Sequence, residues 1–184
     1  MSATQKLFSR YLPTIQPGRL QWIGLRTERR GAVQVVEHTR AVKELGLTGD
    51  RRCEGTPGSA RQVTLIMAEH IDVIARLLQR EQIDPALLRR NLVVSGINLQ
   101  ALRHQKLQIG DAIFELTAQC HPCSRMEEAL SPGGTAAMLM HGGLCAKVIQ
   151  SGEIRVGDAV VPVLEKPEEQ LGCFEWFHYR TSEV

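Results

Sequence analysis

Leu107-Gln108-Ile109-Gly110-Asp111-Ala112 recurs as Ile154-Arg155-Val156-Gly157-Asp158-Ala159, and each copy runs into an apolar segment, Ile113 to Leu116 and Val160 to Leu164. A Gly-Asp turn between extended segments is a corner device. Glycine accepts the backbone angles of a sharp bend, and the short carboxylate bonds neighbouring N–H groups. Two copies are too few for a solenoid. The repeat therefore predicts two related corners, where a sheet bends or a barrel closes, with chance recurrence as the alternative.

The rest of the chain fits a frame of short strands. Arg19 to Leu25 and Val33 to Val36, separated by Arg29-Arg30-Gly31, read as two strands around a turn. Gly46 to Asp50 is turn chemistry, and the stretch to Ser59 is a loop. Gln62 to Met67 is β-branched and apolar, a buried strand. From Ala68 the period changes: Ile71, Ile74, Ala75 and Leu78 fall on one helical face. Asp84 as N-cap and Pro85 in the first turn open a second helix ending near Asn91, and Leu92 to Val94 follows as a strand. Cys145 to Ile149 reads as a core strand. The sum is a strand-rich α+β fold, a curled barrel with short peripheral helices.

Composition sets the limits. Lys+Arg at 22 against Asp+Glu at 20 leaves no field for nucleic acid or anionic lipid, so an anion site must be a local cluster. No apolar run approaches the roughly 20 residues of a membrane span. Five cysteines in a chain of this size read as free thiols in a reducing compartment, hence a cytoplasmic protein. Residues 1–18 are basic and hydroxylated, as organelle transit peptides are, but Pro13 and Pro17 break a long helix and favour a short arm. Residues 19–164 form the domain. Residues 165–184 hold Phe174, Trp176, Phe177 and Tyr179, rings expected to dock on the domain or on a second subunit of a homodimer.

The densest reactive group is Cys120-His121-Pro122-Cys123, between a strand and Ser124-Arg125-Met126-Glu127-Glu128. Four readings stay open: a redox pair, half of a zinc site, a single activated thiolate at a helix start beside Arg125, or two small buried hydrophobes. Arg51-Arg52, Arg61 and Arg89-Arg90-Asn91 lie beside turns and strand ends, where guanidinium forks can converge on a phosphate or simply face water.

In order along the chain, Gly46 to Arg51, Arg61 to Ile66, Leu88 to Gly96, Ile109-Gly110-Asp111, Pro122-Cys123 with Arg125, and Gly152 to Asp158 resemble the motifs of the MOSC domain. That module ends molybdenum cofactor sulfurases and also stands alone. The resemblance spans roughly Arg19 to Val163. It implies a strand-rich barrel that binds molybdenum cofactor, with Cys123 as the thiolate ligand of molybdenum. Arg51, Arg61, Arg90, Arg125 and, more weakly, Asn91 would hold pterin and phosphate. The chain lacks the extra N-terminal barrel of the amidoxime-reducing members and the desulfurase domain of the sulfurases. The expected activity is reduction of N-hydroxylated small molecules, with His121 as proton donor or only a loop residue, and with electrons from a partner protein. The alternative is a carrier that passes cofactor or persulfide sulfur to an acceptor. An interaction module without cofactor is the third reading.

Overall fold

A computed structural model of the chain describes residues 10–164. In order these are β1 (Gly18–Leu25), β2 (Gln34–Val36), β3 (His38–Val42), β4 (Gly46–Leu47), β5 (Val63–Met67), α1 (Ala68–Leu77), α2 (Pro85–Leu88) and β6 (Leu92–Ser95). They continue with β7 (Lys106–Ile109), β8 (Ala112–Gln119), α3 (Ser124–Leu130), α4 (Gly134–Ala137), β9 (Leu144–Gln150), β10 (Gly152–Arg155) and β11 (Ala159–Pro162).

The strands β1, β6, β5, β9, β8, β7 and β11 form a closed ring, sealed where Gly18 and Arg19 of β1 pair with Val160 and Ala159 of β11. Every joint is antiparallel except β5–β6. A parallel joint needs a crossover, and α1 with α2 supplies it. That is why β5 is buried along its whole length. Leu65 faces the barrel interior with Leu92, Phe114, Leu116 and Leu144. Ile66 faces outward with Val93 into a second cluster made by Ile71, Ile74, Leu88, Met126 and Leu130 of the helices. Full burial of a Met or Leu side chain is worth about 1.5–3 kcal/mol. Met126 and Leu130 thus anchor α3, and with it the Cys120–Cys123 loop.

The repeated corners are both turns with left-handed glycine, at φ 52° for Gly110 and 96° for Gly157. The first makes the tight hairpin between β7 and β8. The second carries the chain out of a small β10-β3-β4 sheet into barrel strand β11. They also touch each other. Asp111 N donates to Glu153 O at 3.0 Å, and a Cβ on Gly110 would stand 2.5 Å from Asp158 Oδ2.

Asp84 caps α2 by accepting from Ala86 N at 2.9 Å. The helix stops at Leu88, earlier than the expected end near Asn91, because Arg89 turns left-handed at φ 54°. Strand β3 was not evident in the sequence, and Gly46–Leu47, the first two residues of the expected turn, pair instead as β4. Within the expected arm, Leu12 is buried against the barrel core, whereas the expected aromatic tail lies outside the described residues. Among the described residues no helix is long and apolar enough to cross a membrane.

His70 of α1 meets His141 edge to face, with ring centroids 4.9 Å apart. Both Nδ1 atoms are buried without a hydrogen-bond partner. Burial first, then the facing His141, lowers the pKa of His70 from its usual 6.5; Glu69 opposes this. The unfolded chain therefore takes up protons before the fold does as pH drops, and the fold loses stability below about pH 6.5. His70→Phe keeps the ring contact and removes the titration. Urea midpoints at about pH 7.5 and 5.5 should fall less with acid in that variant than in the parent; equal acid sensitivity would contradict the assignment.

Candidate functional site

Asp50 follows β4 in a turn and is 2% exposed. Burial alone would raise its pKa. Instead the Arg26 guanidinium, Arg26 N and Arg52 N outweigh burial and hold the carboxyl below its usual value. Arg26 donates to Asp50 through N at 2.9 Å, Nε at 3.0 Å and Nη2 at 3.3 Å, and Arg52 N donates at 2.9 Å. Asn91 completes the frame. Its Nδ2 donates to Asp50 Oδ2 at 2.8 Å and Gly24 O at 3.0 Å, while its Oδ1 accepts from Arg26 Nη2, Thr64 N and Thr64 Oγ1. Four segments of the barrel end are tied at this point.

Asn91 is thus a buried structural hub. Its amide is fully occupied by protein groups. Arg90 is likewise enclosed. It is 7% exposed, and its fork donates to Gly142 O at 2.7 Å, Leu88 O at 2.9 Å and Cys120 O at 3.4 Å. A guanidinium directed at three carbonyls braces the Cys120 loop; it does not present a free fork to a phosphate.

The remaining arginines gather on the same end. Burial lowers the pKa of Arg89, and the positive charges of Arg26, Arg125 and Arg51 lower it further, with Asp50 opposing. Arg61 and Arg26 act together with Arg90 on Cys120. Among the described residues the ion pairs are Arg26–Asp50 and Arg40–Glu153, so Arg51, Arg61, Arg89 and Arg125 have no carboxylate partner. Like charges held together without counterions are what an anion site requires. Arg89 was among the sequence-based anion candidates but not among the cofactor-holding residues, and Arg26 was in neither group. The Arg89-Arg90 doublet was a signal for the former; nothing near Arg26 marked it.

Cys123 is exposed and forms the N-cap position of α3, with Met126 N donating to Cys123 O at 2.8 Å. His121 is exposed on the same loop, and Arg125 is half-buried in the first turn of α3. Cys145 is buried in β9, as expected of a core strand residue. Among the described residues no three His, Cys, Asp or Glu side chains group closely enough to hold a metal ion. A bare ion would find a single accessible thiol here. A metal arriving inside an organic cofactor with its own sulfur donors needs no more than that, and the unpaired guanidiniums suit an anionic group on such a cofactor.

A model of the MOSC domain matches residues 50–161, more than half of the chain. The chain belongs to the MOSC domain family. Solved structures agree on the MOSC-type fold. The YuaD protein from Bacillus subtilis matches with a TM-score of 0.67 at 17% identity, over 79% of this chain and 94% of that one. YiiM from Escherichia coli matches at 0.61 and 19% identity, over 82% and 72%. YiiM from Geobacillus stearothermophilus matches at 0.65 and 16%, over 80% and 75%. No curated protein matches the chain. The closed strand-rich barrel expected of a MOSC domain is the fold observed.

Proposed function

We propose that this MOSC domain binds molybdenum cofactor and reduces N-hydroxylated small molecules. The observation that supports this most is one exposed thiol, Cys123, on a loop set beside guanidinium groups that no carboxylate neutralises. Cys123 would ligate the metal. Arg51, Arg61, Arg89 and Arg125 would hold the pterin's phosphate, their guanidinium N–H groups donating to its oxygens. Arg90 and the Asp50–Arg26–Asn91 frame would keep loop and cluster in register without touching ligand. When bound, the cofactor supplies two-electron chemistry that removes oxygen from the substrate. His121, exposed two residues before Cys123, would deliver protons to the substrate. Electrons would come from a partner protein.

The test is turnover of an amidoxime by protein purified from a cofactor-producing host, with a chemical or flavoprotein donor. The parent should form the amidine, and His121→Ala should lower kcat and change its pH profile near neutrality. An unchanged profile would leave His121 as loop structure. No turnover with any donor, together with labelled persulfide sulfur leaving Cys123 for an acceptor, would replace the reductase with a carrier.

A further inference from the structure

Two thiols have no part in that reading. Cys120 directly follows β8, where its N donates to Gly143 O at 2.9 Å, and Cys145 is the second residue of β9, two beyond Gly143. With Gln119 opposite Leu144 and Cys120 bonded to Gly143, Cys120 and Cys145 are diagonal neighbours on one face of the β8–β9 ladder. The pair is asymmetric. Cys145 is 2% exposed, whereas Cys120 is half-buried and lines a shallow cavity of about 10 Å³ with Gln119, His121, Pro122, Met140 and Gly142. That is room for one water-sized molecule. Cys120 borders this cavity, and Cys145 is sealed within the sheet.

Electrostatics separates them in the same sense. The Cys145 hydrogen bond lowers the pKa of Cys120 most; burial opposes, and the charges of Arg90, Arg26 and Arg61 assist, leaving it at about 6. Cys145 is pushed up by donating to Cys120 and by burial, so it stays a thiol. Cys53 is also pushed up, by burial and by Asp50 and Glu54, which makes it a poor nucleophile. The strand register breaks where a bridge would form. The ladder between β8 and β9 is irregular from Leu116 to Gln119, and Cys120 stands just beyond the last pair, Gln119 with Leu144. A disulfide needs Cα atoms about 4.4–6.8 Å apart, a spacing within the range of diagonal neighbours on adjacent strands.

We propose that Cys120 and Cys145 are a peroxide-reactive pair, Cys120 taking the oxidant and Cys145 resolving it as an intramolecular disulfide. The Cys120 thiolate attacks one peroxide oxygen, the O–O bond breaks, and hydroxide leaves and is protonated by solvent. This gives a sulfenic acid on Cys120. The Cys145 sulfur then displaces the sulfenic hydroxyl, and its own proton leaves with that hydroxyl as water. Two thiols and one peroxide become one disulfide and two waters. A dithiol reverses the step. The bridge would fix the segment whose carbonyl Arg90 holds, three residues before Cys123.

The experiment treats the reduced full chain with one equivalent of hydrogen peroxide and maps disulfides by mass spectrometry without reductant. A Cys120–Cys145 linked peptide, reversed by dithiothreitol, is expected in the parent and equally in Cys123→Ser. Cys120→Ser should consume peroxide about tenfold more slowly and yield no such link. Cys145→Ala, if folded by circular dichroism, should stop at a sulfenic acid trapped by dimedone; the parent and Cys123→Ser maps decide the matter if it does not fold. Linkage of Cys120 to Cys123 or Cys173, linkage between chains, or an unreacted Cys120 would overturn the proposal. None of these readouts depends on molybdenum.

Discussion

Asp50→Asn should lower the stability of this barrel by about 3 kcal/mol, or roughly 6–12 °C in Tm. The carboxylate accepts from Arg26, Arg52 and Asn91, and Arg26 is only 18% exposed. An amide in its place turns an NH2 group toward those donors and leaves a largely enclosed guanidinium without its counter-charge. The parent's own acid dependence follows from the same contacts. A carboxyl held below its usual 3.8 contributes stability that is complete above that value and is lost as pH falls through the folded pKa. The variant should lose that acid limb. Thermal unfolding of parent and variant at neutral pH checks the magnitude, and a change within about 0.5 kcal/mol would show that the frame is not what ties the barrel end together.

The frame was invisible in the sequence for a physical reason. Its members are distant along the chain: Arg26 bonds to Asp50 across 24 residues, and Asn91 reaches Asp50 across 41. No local pattern encodes such a meeting. The Cys120–Cys145 contact is hidden for the same reason. Local chemistry, in contrast, was legible. The Asp84 cap and Pro85 start of α2, the helical period of α1 and the two glycine corners all act within a few residues, and all stand where the sequence puts them. Strand β3 escaped because His38-Thr39-Arg40-Ala41-Val42 is short and exposes His38 and Arg40 on its polar face. The arginines were legible as residue types but not as roles. Nothing in Leu88-Arg89-Arg90 tells which guanidinium braces the Cys120 loop and which reaches Gly31 O; the left-handed turn at Arg89 sends the two apart.

The second large effect concerns the metal. Cys123→Ser exchanges a soft thiolate donor for a hydroxyl that stays protonated near neutral pH, and thiolates are the ligands such soft metals select. Cys123 is exposed and packs into neither core cluster, so the substitution should cost less than about 0.5 kcal/mol of stability. Loss of metal without loss of fold is the expected signature, because Met126 and Leu130 hold α3 in place independently of the thiol. Arg89→Glu with Arg125→Glu should act on the organic part of the cofactor instead, reducing pterin retention by tenfold or more through two lost charge-assisted contacts of about 1.5–3 kcal/mol each.

The direct measurement is molybdenum per chain, by elemental analysis, in parent and Cys123→Ser protein purified side by side from a cofactor-producing host, with circular dichroism on both. The parent should carry molybdenum approaching one per chain, and the folded variant should carry at least tenfold less. Equal molybdenum in the two proteins, or none in a well-folded parent, would contradict the assignment of Cys123 as the metal's anchor.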